Sequence, residues 1–138
     1  MKGLFFLLLS FVVFNMKPVE PKDLVWEKRI LVISDSGPNE VDWFSDELIE
    51  DLTERRLLVF VFSGKDLVQS NFDKEINPDS FLRLFNPNNG KLTSWALIGL
   101  DGGKKNEGQN SPNPDEIFRI IDAMPMRQSE IRRKGDGN

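Results

Sequence analysis

The loop SDSGPN at residues 34–39 contains the side chains best suited to chemistry in this chain. It follows the apolar run ILVI at residues 30–33, which predicts a central strand covered on both faces. Ser34, Asp35 and Ser36 therefore lie at the carboxyl end of a strand, where open α/β sheets bind ligands. Ser36, at the start of a following helix, would meet backbone N–H groups that suit an anion. The loop predicts plain capping of the helix, with an anion or peptide site as the functional alternative.

Catalysis by this loop would need more than a serine. A serine becomes a nucleophile only beside a general base, and the sequence contains no histidine. Cysteine is also absent, which excludes thiol redox chemistry. Lys65 or Lys104 would have to act as the base, and nothing in the sequence places either lysine within reach. We therefore expect no catalytic residue, and we keep a cysteine-independent, hydrolytic enzyme that uses residues 34–39 as the alternative function.

Asp101 begins a second polar loop, DGG, after the apolar run WALIGL at residues 95–100. Glycine tolerates positive φ, so the segment predicts a tight turn between two strands of a hairpin. A loop that binds a metal or a phosphate is the functional alternative. Asp101 is its candidate binding residue.

The segment MPMR at residues 124–127 contains two side chains with no obvious local role. Its proline ends a predicted helix, and its first methionine completes the apolar stripe of that helix. Met126 and Arg127 are needed for neither purpose, and they are candidates for an apolar and cationic contact surface. Alternatively, Arg127 forms a structural ion pair with Asp122 or Asp101.

Composition excludes several classes of ligand. Eighteen basic residues against 22 acidic ones give a formal net charge of −4, so we expect no nucleic-acid partner. The chain has neither a GxGxxG motif nor a phosphate-binding lysine loop, and we expect no cofactor. Histidine and cysteine, the commonest ligands of transition metals, are missing, so we expect no metal. The expected partner is a protein or a small anionic ligand of the cell envelope.

The predicted elements follow the order strand, helix, strand, helix, strand, strand, helix. This order predicts an α/β domain whose central mixed sheet of about four strands is flanked by helices. Asn-Pro pairs at residues 77–78 and 113–114 begin the two later helices. Residues 126–133 add about one more helical turn, and residues 134–138 are expected to be a disordered tail.

The first helix is predicted from its spacing of apolar residues. Ser36 or Asn39 would cap it, and it would run to about Arg56. Its acidic residues lie on the solvated face, and the arginines at its end suit the helix dipole. The apolar stripe consists of Val41, Phe44, Leu48 and Leu52.

Residues 1–16 have the pattern of an export signal. Lys2 precedes an apolar run from Leu4 to Phe14 that only Ser10 interrupts. At about 1.5 Å per residue the run covers roughly 16 Å, about half of a ~30 Å hydrocarbon core. No small-x-small cleavage site follows, so we expect either a signal peptide or a short N-terminal anchor. The protein is then secreted or periplasmic, touching the membrane only through an uncleaved leader, and residues 17–23 form a linker.

Three segments resemble one family: WEKRILV at residues 26–32, LIGLDGGK at 97–104 and IDAMPMRQ at 121–128. It is a thioredoxin-like domain family of unknown function, found in exported bacterial proteins and in sushi-repeat-containing extracellular-matrix proteins. The resemblance covers about residues 24–132 and implies a thioredoxin-like domain, which we place at residues 24–133. Leu100 stands where the family commonly carries lysine, and Ile131 where it commonly carries methionine.

Together, these features predict an exported, non-redox, thioredoxin-like α/β domain that serves as a binding or accessory module. The loop at residues 34–39 stands where ordinary thioredoxins keep Cys-x-x-Cys, so the resemblance implies the fold without the redox chemistry. The contact region is expected to combine this loop with the segment around Met126 and Arg127. A structural role at the membrane is a further possibility if the leader stays attached.

Overall fold

The continuous apolar runs form the centre of one sheet in the computed structural model, which describes residues 17–35, 41–84 and 93–136. The predicted leader lies outside these residues. The strands are β1 (Arg29–Asp35), β2 (Leu57–Ser63), β3 (Asp66–Ser70), β4 (Thr93–Ile98) and β5 (Lys104–Gly108). The helices are α1 (Asp46–Glu54), α2 (Pro78–Leu82), α3 (Pro114–Asp122) and α4 (Pro125–Asp136).

The sheet is mixed, with the strand order β3-β2-β1-β4-β5. β1 and β2 are parallel and joined through α1, whereas the other neighbours are antiparallel. β1 and β2 are apolar along most of their length because both faces of the sheet are covered. The predicted α/β architecture is confirmed and is consistent with a thioredoxin-like fold, with five strands instead of about four.

Two apolar clusters pack on opposite faces of the sheet. Alternate residues of β1 and β2 point to opposite faces, so each strand contributes to both clusters. One cluster lies under α1 and α3, and its buried members include Leu31, Ile33, Val59, Leu52, Ile117 and Ile121. The other lies under α2 and the N-terminal segment, and its buried members include Ile30, Val32, Phe60, Phe81 and Leu24.

β3 is an element that the sequence pattern did not predict. A two-residue turn at Gly64 and Lys65 joins it to β2, and Gly64 has a left-handed φ of +60°. Val61 pairs with Gln69 and Phe62 with Leu67, which leaves Val68 as an extra, bulged residue. The bulge breaks the alternation of apolar and polar residues by which a strand is recognised in a sequence.

α1 begins later than the sequence predicted. Residues 41–45 are not helical, and the helix starts at Asp46 with Ser45 as its N-cap. The Oγ of Ser45 accepts a hydrogen bond of 3.4 Å from the N–H of Leu48. A start near Ser36 or Asn39 is therefore wrong. The hydroxyl cap followed by two acidic residues is the stronger local signal, because both interact with the exposed N–H groups of the first turn.

Replacing Ser45 by alanine is expected to lower the free energy of unfolding by about 1 kcal/mol, because the N–H of Leu48 loses its acceptor. Urea denaturation followed by circular dichroism measures this loss. Thr53→Ala is the matched control, since that hydroxyl donates to the carbonyl of Ile49 inside the same helix and caps nothing. Equal losses in the two variants would contradict the assignment of the cap.

Both ends of the folded region differ from the sequence prediction. The expected linker at residues 17–23 is part of the domain: Val19 forms a parallel bridge with Ile76, and Pro21–Leu24 is a 3₁₀ helix whose leucine is buried. At the other end, α4 extends to Asp136, into the expected tail. Pro125 starts this helix instead of merely ending α3, since proline fits the first turn of a helix, where N–H groups have no partner.

Candidate functional site

The first predicted site residue, Ser34, is buried. Its residue is 1% exposed, and it pairs in register with Ser94 on β4, which is also buried. Asp35 closes β1 opposite Thr93. The side chain of Asp35 and all of Ser36 lie outside the described residues. Ser34 therefore cannot meet a ligand at the surface or act as an accessible nucleophile.

Asp101 stabilises its own turn. One oxygen of its carboxylate accepts the N–H of Gly103 at 2.9 Å, and the other pairs with the Nζ of Lys105 at 2.8 Å. The hydrogen bond from Lys105, followed by that from Gly103, holds the pKa of Asp101 below its usual range. The predicted hairpin is confirmed, with Gly102 at a φ of +82°. Within residues 17–35, 41–84 and 93–136, no group of three or more acidic residues is arranged to hold a metal ion.

Arg127 is not part of a contact surface. The residue is only 4% exposed, and its guanidinium reaches Asp122 at 3.1 Å, Glu54 at 3.1 Å and Glu130 at 3.4 Å. The alternative of an ion pair with Asp122 is correct, whereas a pair with Asp101 is not. Of the two residues singled out in this segment, only Met126 is exposed, at 43%.

The structure also separates the two halves of the expected contact region. Arg29 at the start of β1 contacts Glu130, which contacts Arg127, so the segment around Arg127 lies at the amino end of this strand. Ser34 is five residues further on, about 16 Å away at the rise of an extended strand. Ser34 and Asp35, the described residues of the predicted loop, lie at that far end and do not form one small site with Arg127.

Arg29 joins Arg127 in an ionic network that sequence reasoning missed. Arg29 is fully buried, and its Nη2 lies 3.2 Å from Glu130. Its Nη1 also donates to the carbonyl of Arg55 at 2.8 Å. Arginine at the start of a strand reads as a solvated residue, so no sequence signal indicated this burial. The ion pair with Glu130 of α4 offsets the free-energy cost of burying this charge.

Asp122 connects the network to α1. Arg55 donates to it twice, at 3.0 and 2.9 Å, and stacks over the ring of Phe118 at 4.5 Å. Partial burial raises the pKa of Asp122, but hydrogen bonds from Arg55 and Arg127 outweigh burial, and the net pKa lies below its usual range. The hydrogen bond from Arg127 likewise lowers the pKa of Glu54. These residues are held by one another, which indicates a structural role.

Trp26 is a second residue that sequence reasoning overlooked, since it reads as the lead-in to the first strand. Its residue is 60% exposed, and its backbone is left-handed, with a φ of +69°. A bulky residue seldom adopts this conformation. The backbone N–H donates to the carbonyl of Leu100 at 2.6 Å, and the preceding Val25 packs against Gly102. Tertiary contacts therefore hold an indole in solvent on a strained backbone.

An open groove of 590 Å³ lies beside the Trp26 loop. Residues 23–28 form one wall through Asp23, Leu24, Glu27 and Lys28, and residues 71–74 form the other. Glu27 and Lys28 make no ion pair with any residue of the described chain, nor do Asp73 and Lys74 across from them. The wall at residues 71–74 also contains Asn71 and Phe72, and the remaining lining residues are Val19 and Leu58. We call Trp26 and this groove the Trp26 surface.

The groove has the mixed character of a recognition site. Its lining combines apolar side chains with charged ones, and its volume is within the range of about 300–1,000 Å³ typical of ligand sites. Asn71 is already engaged, because its side chain accepts from the N–H of Val59 at 2.7 Å and donates to the carbonyl of Leu57 at 3.0 Å. Asp23 is engaged as well, because its carboxylate accepts the N–H of Glu20 at 2.9 Å, so Glu27, Lys28, Asp73 and Lys74 are the charged side chains left for a partner.

The comparisons with known proteins identify a family but no activity. Residues 21–130 match the model of the family described as Domain of unknown function (DUF4174). No curated protein and no solved structure matches the chain. Among the described residues there is also no helix of sufficient length and apolar character to cross a membrane. Since the match spans most of the sequence, the chain belongs to the DUF4174 family of domains of unknown function.

Proposed function

We propose that this protein is an exported, non-redox binding or accessory domain that recognises a protein partner through the Trp26 surface. The apolar leader at residues 1–16 supports export, and the absence of cysteine from the whole sequence is what makes the domain non-redox. The location of binding rests on one observation, the exposed indole of Trp26 on a strained backbone.

The argument from Trp26 is energetic. A left-handed conformation costs an L-residue roughly 1–2 kcal/mol, and exposure of the indole forgoes the benefit of burying it. Trp26 belongs to neither apolar cluster and remains mostly in solvent. Strain of this kind is concentrated where a protein binds or reacts. Tryptophan is also enriched among the residues that dominate the free energy of protein association.

The groove supports a polypeptide partner. Trp26 does not line the groove itself, but its near neighbours Leu24, Glu27 and Lys28 do, so a partner that anchors the indole would lie close to the lining of the groove. A buried aromatic anchor surrounded by a polar rim is the usual anatomy of a protein interface. Within residues 34–39, on which the enzymatic alternative rests, Ser34 is buried, and the side chains of Asp35 and Ser36 lie outside the described residues.

Replacing Trp26 by glycine is expected to abolish partner capture without destabilising the domain. Glycine relieves a strain of roughly 1–2 kcal/mol at an entropic cost of about 0.5–1 kcal/mol, so the free energy of unfolding should stay equal or rise slightly. The full chain with an affinity tag would be cross-linked in intact cells and purified, and its partners identified by mass spectrometry. Urea denaturation of the same variants measures stability.

Val68→Ala is the matched control, since Val68 is 59% exposed and lies on β3, at the edge of the sheet. We expect this variant to capture the same partner as the wild-type chain. Oxidative footprinting of the captured complex should also show protection of Trp26. A partner that binds the wild-type chain and both variants equally would exclude the Trp26 surface as the contact.

A further inference from the structure

α4 differs from the other long helices in what holds it to the domain. α3 buries Ile117, Phe118 and Ile121, so it docks through an apolar face. Over residues 125–135 of α4, the only buried side chain is that of Arg127, and Met126 and Ile131 are both more than 40% exposed. α4 therefore lacks the apolar contact that normally fixes a helix on a sheet.

Two charged side chains, Arg127 and Glu130, make the partly buried ion pairs that dock α4, beside a hydrogen bond from Gln128 to the carbonyl of Asp122 and an exposed contact of Lys134. Arg127 reaches Glu54 of α1 and Asp122 of α3, both at 3.1 Å. Glu130 reaches Arg29 of β1 at 3.2 Å and Arg127 at 3.4 Å. Each of the three elements beneath α4 is thus contacted through an ion pair. Such contacts depend on protonation, whereas apolar packing does not.

We propose that α4 is an ionic latch, a helix that acid releases from the domain as one unit while the sheet, α1 and α3 remain folded. This inference is independent of the Trp26 surface and of any partner. In the closed state, which is the structure of the domain given above, α4 is docked through its ion pairs.

The direction of the pH dependence follows from the charges that meet at the latch. The acidic groups are Glu54 and Asp122, whose pKa values are lowered, together with Glu130. A carboxylate with a lowered pKa contributes stability above its usual pKa, and that contribution is lost as the pH falls through the lowered value. The further charged groups are Arg29 of β1, Asp51 and Arg55 of α1, and Arg127 and Lys134 of α4.

Acid neutralises the carboxylates of this network but leaves its arginines charged. Burial lowers the pKa of Arg127, but hydrogen bonds to Asp122 and Glu54 outweigh burial and leave the pKa above its usual value, so the arginine stays charged. Protonated carboxyls then leave Arg29 and Arg127 buried and unpaired, which is the costliest arrangement of an ion pair. The buried Nε of Arg29 already lacks a hydrogen-bond partner among the described residues in the closed state. Release of α4 returns both guanidinium groups to water.

Hydrogen exchange of the full chain, resolved by mass spectrometry, tests the latch directly. Amides of α4 and α3 would be compared between pH 7 and pH 2.5, which is well below the usual pKa of aspartate and glutamate, after correction for the intrinsic exchange rate. We expect protection of α4 to fall at least about tenfold while that of α3 and β2 stays within about twofold, as for sub-global opening. Simultaneous loss of protection in α4, α3 and β2, or no loss in α4, would overturn the proposal.

Two variants separate the latch from a general acid effect. Glu130→Gln should expose α4 to exchange already at pH 7, whereas Ser129→Ala, on the same helix but outside the network, should not. Arg29→Met combined with Glu130→Met replaces one buried pair by apolar side chains, so α4 should lose clearly less protection at pH 2.5 than it does in the wild-type chain, since only the pairs of Arg127 with Glu54 and Asp122 remain sensitive to acid. An equal loss of protection in the double variant and in the wild-type chain would show that the pair between Arg29 and Glu130 is not part of the latch.

Discussion

Replacing Glu130 by glutamine is expected to lower the free energy of unfolding by about 3 kcal/mol, the cost of leaving a buried charge without its partner. Glu130 is the carboxylate that pairs with Arg29, which is fully buried. Glutamine preserves the shape and a hydrogen-bonding oxygen, so the change removes little besides the charge. Part of this fall in the free energy of unfolding comes from weaker docking of α4, because release of the helix returns the Arg29 guanidinium to water. Urea denaturation at pH 7 measures it.

A double-mutant cycle identifies the cause. Adding Arg29→Met to Glu130→Gln should restore more than half of the lost stability, because a buried pair replaced by apolar groups is often neutral in free energy. Glu107→Gln provides the surface comparison: its pair with Lys104 is exposed, and its loss should cost less than about 1 kcal/mol. Purely additive effects of Arg29→Met and Glu130→Gln would contradict the assigned pairing.

Replacing Trp43 by alanine is expected to cost about 4 kcal/mol, within the range measured for large aromatic residues in cores. Trp43 is 1% exposed and packs edge-on against Phe118, with ring centroids 6.4 Å apart. It lies in the non-helical segment before α1 and closes the apolar cluster under α1 and α3. Thermal and urea denaturation of the variant would measure the cost.

The comparison with Phe44 distinguishes the observed segment from the predicted helix. In a helix capped near residue 36 or 39, Phe44 belongs to the inward stripe and Trp43 points away from it. The structure buries Trp43 and leaves Phe44 half-buried. Phe44→Ala should therefore cost less than about half as much as Trp43→Ala. If Phe44→Ala cost more than Trp43→Ala, residues 41–45 would be helical, as the spacing of apolar residues predicted.

Several elements could be predicted from the sequence because their causes are local. β1, β2 and β4 contain runs of apolar residues that only a covered sheet can bury. The helices α2 and α3 begin at Asn-Pro pairs, where proline fixes φ, and at α3 the side chain of Asn113 also caps the helix by accepting the N–H of Asp115. The DGG turn needs only glycine at a positive φ.

The candidate site could be predicted much less well. Ser34 and Arg127 were singled out for their chemical type and neighbours, yet both are buried by contacts with residues far away in the chain. Trp26 was passed over because exposure and backbone strain are properties of the folded chain, and neither leaves a pattern in adjacent residues. Asp101 was placed correctly in its turn, since its partners Gly103 and Lys105 are close in sequence.

The sequence by itself determined the class of fold, the starts of two helices and the exclusion of thiol chemistry, since these depend on composition, periodicity and nearest neighbours. Only the tertiary structure decided that Arg29 and Arg127 share the carboxylates of three elements and that α4 docks through them. The physical reason is that the interacting residues are far apart along the chain. An ion pair between Arg29 and Glu130 joins residues 101 positions apart, and it exists only once β1 and α4 have been brought together by the rest of the fold.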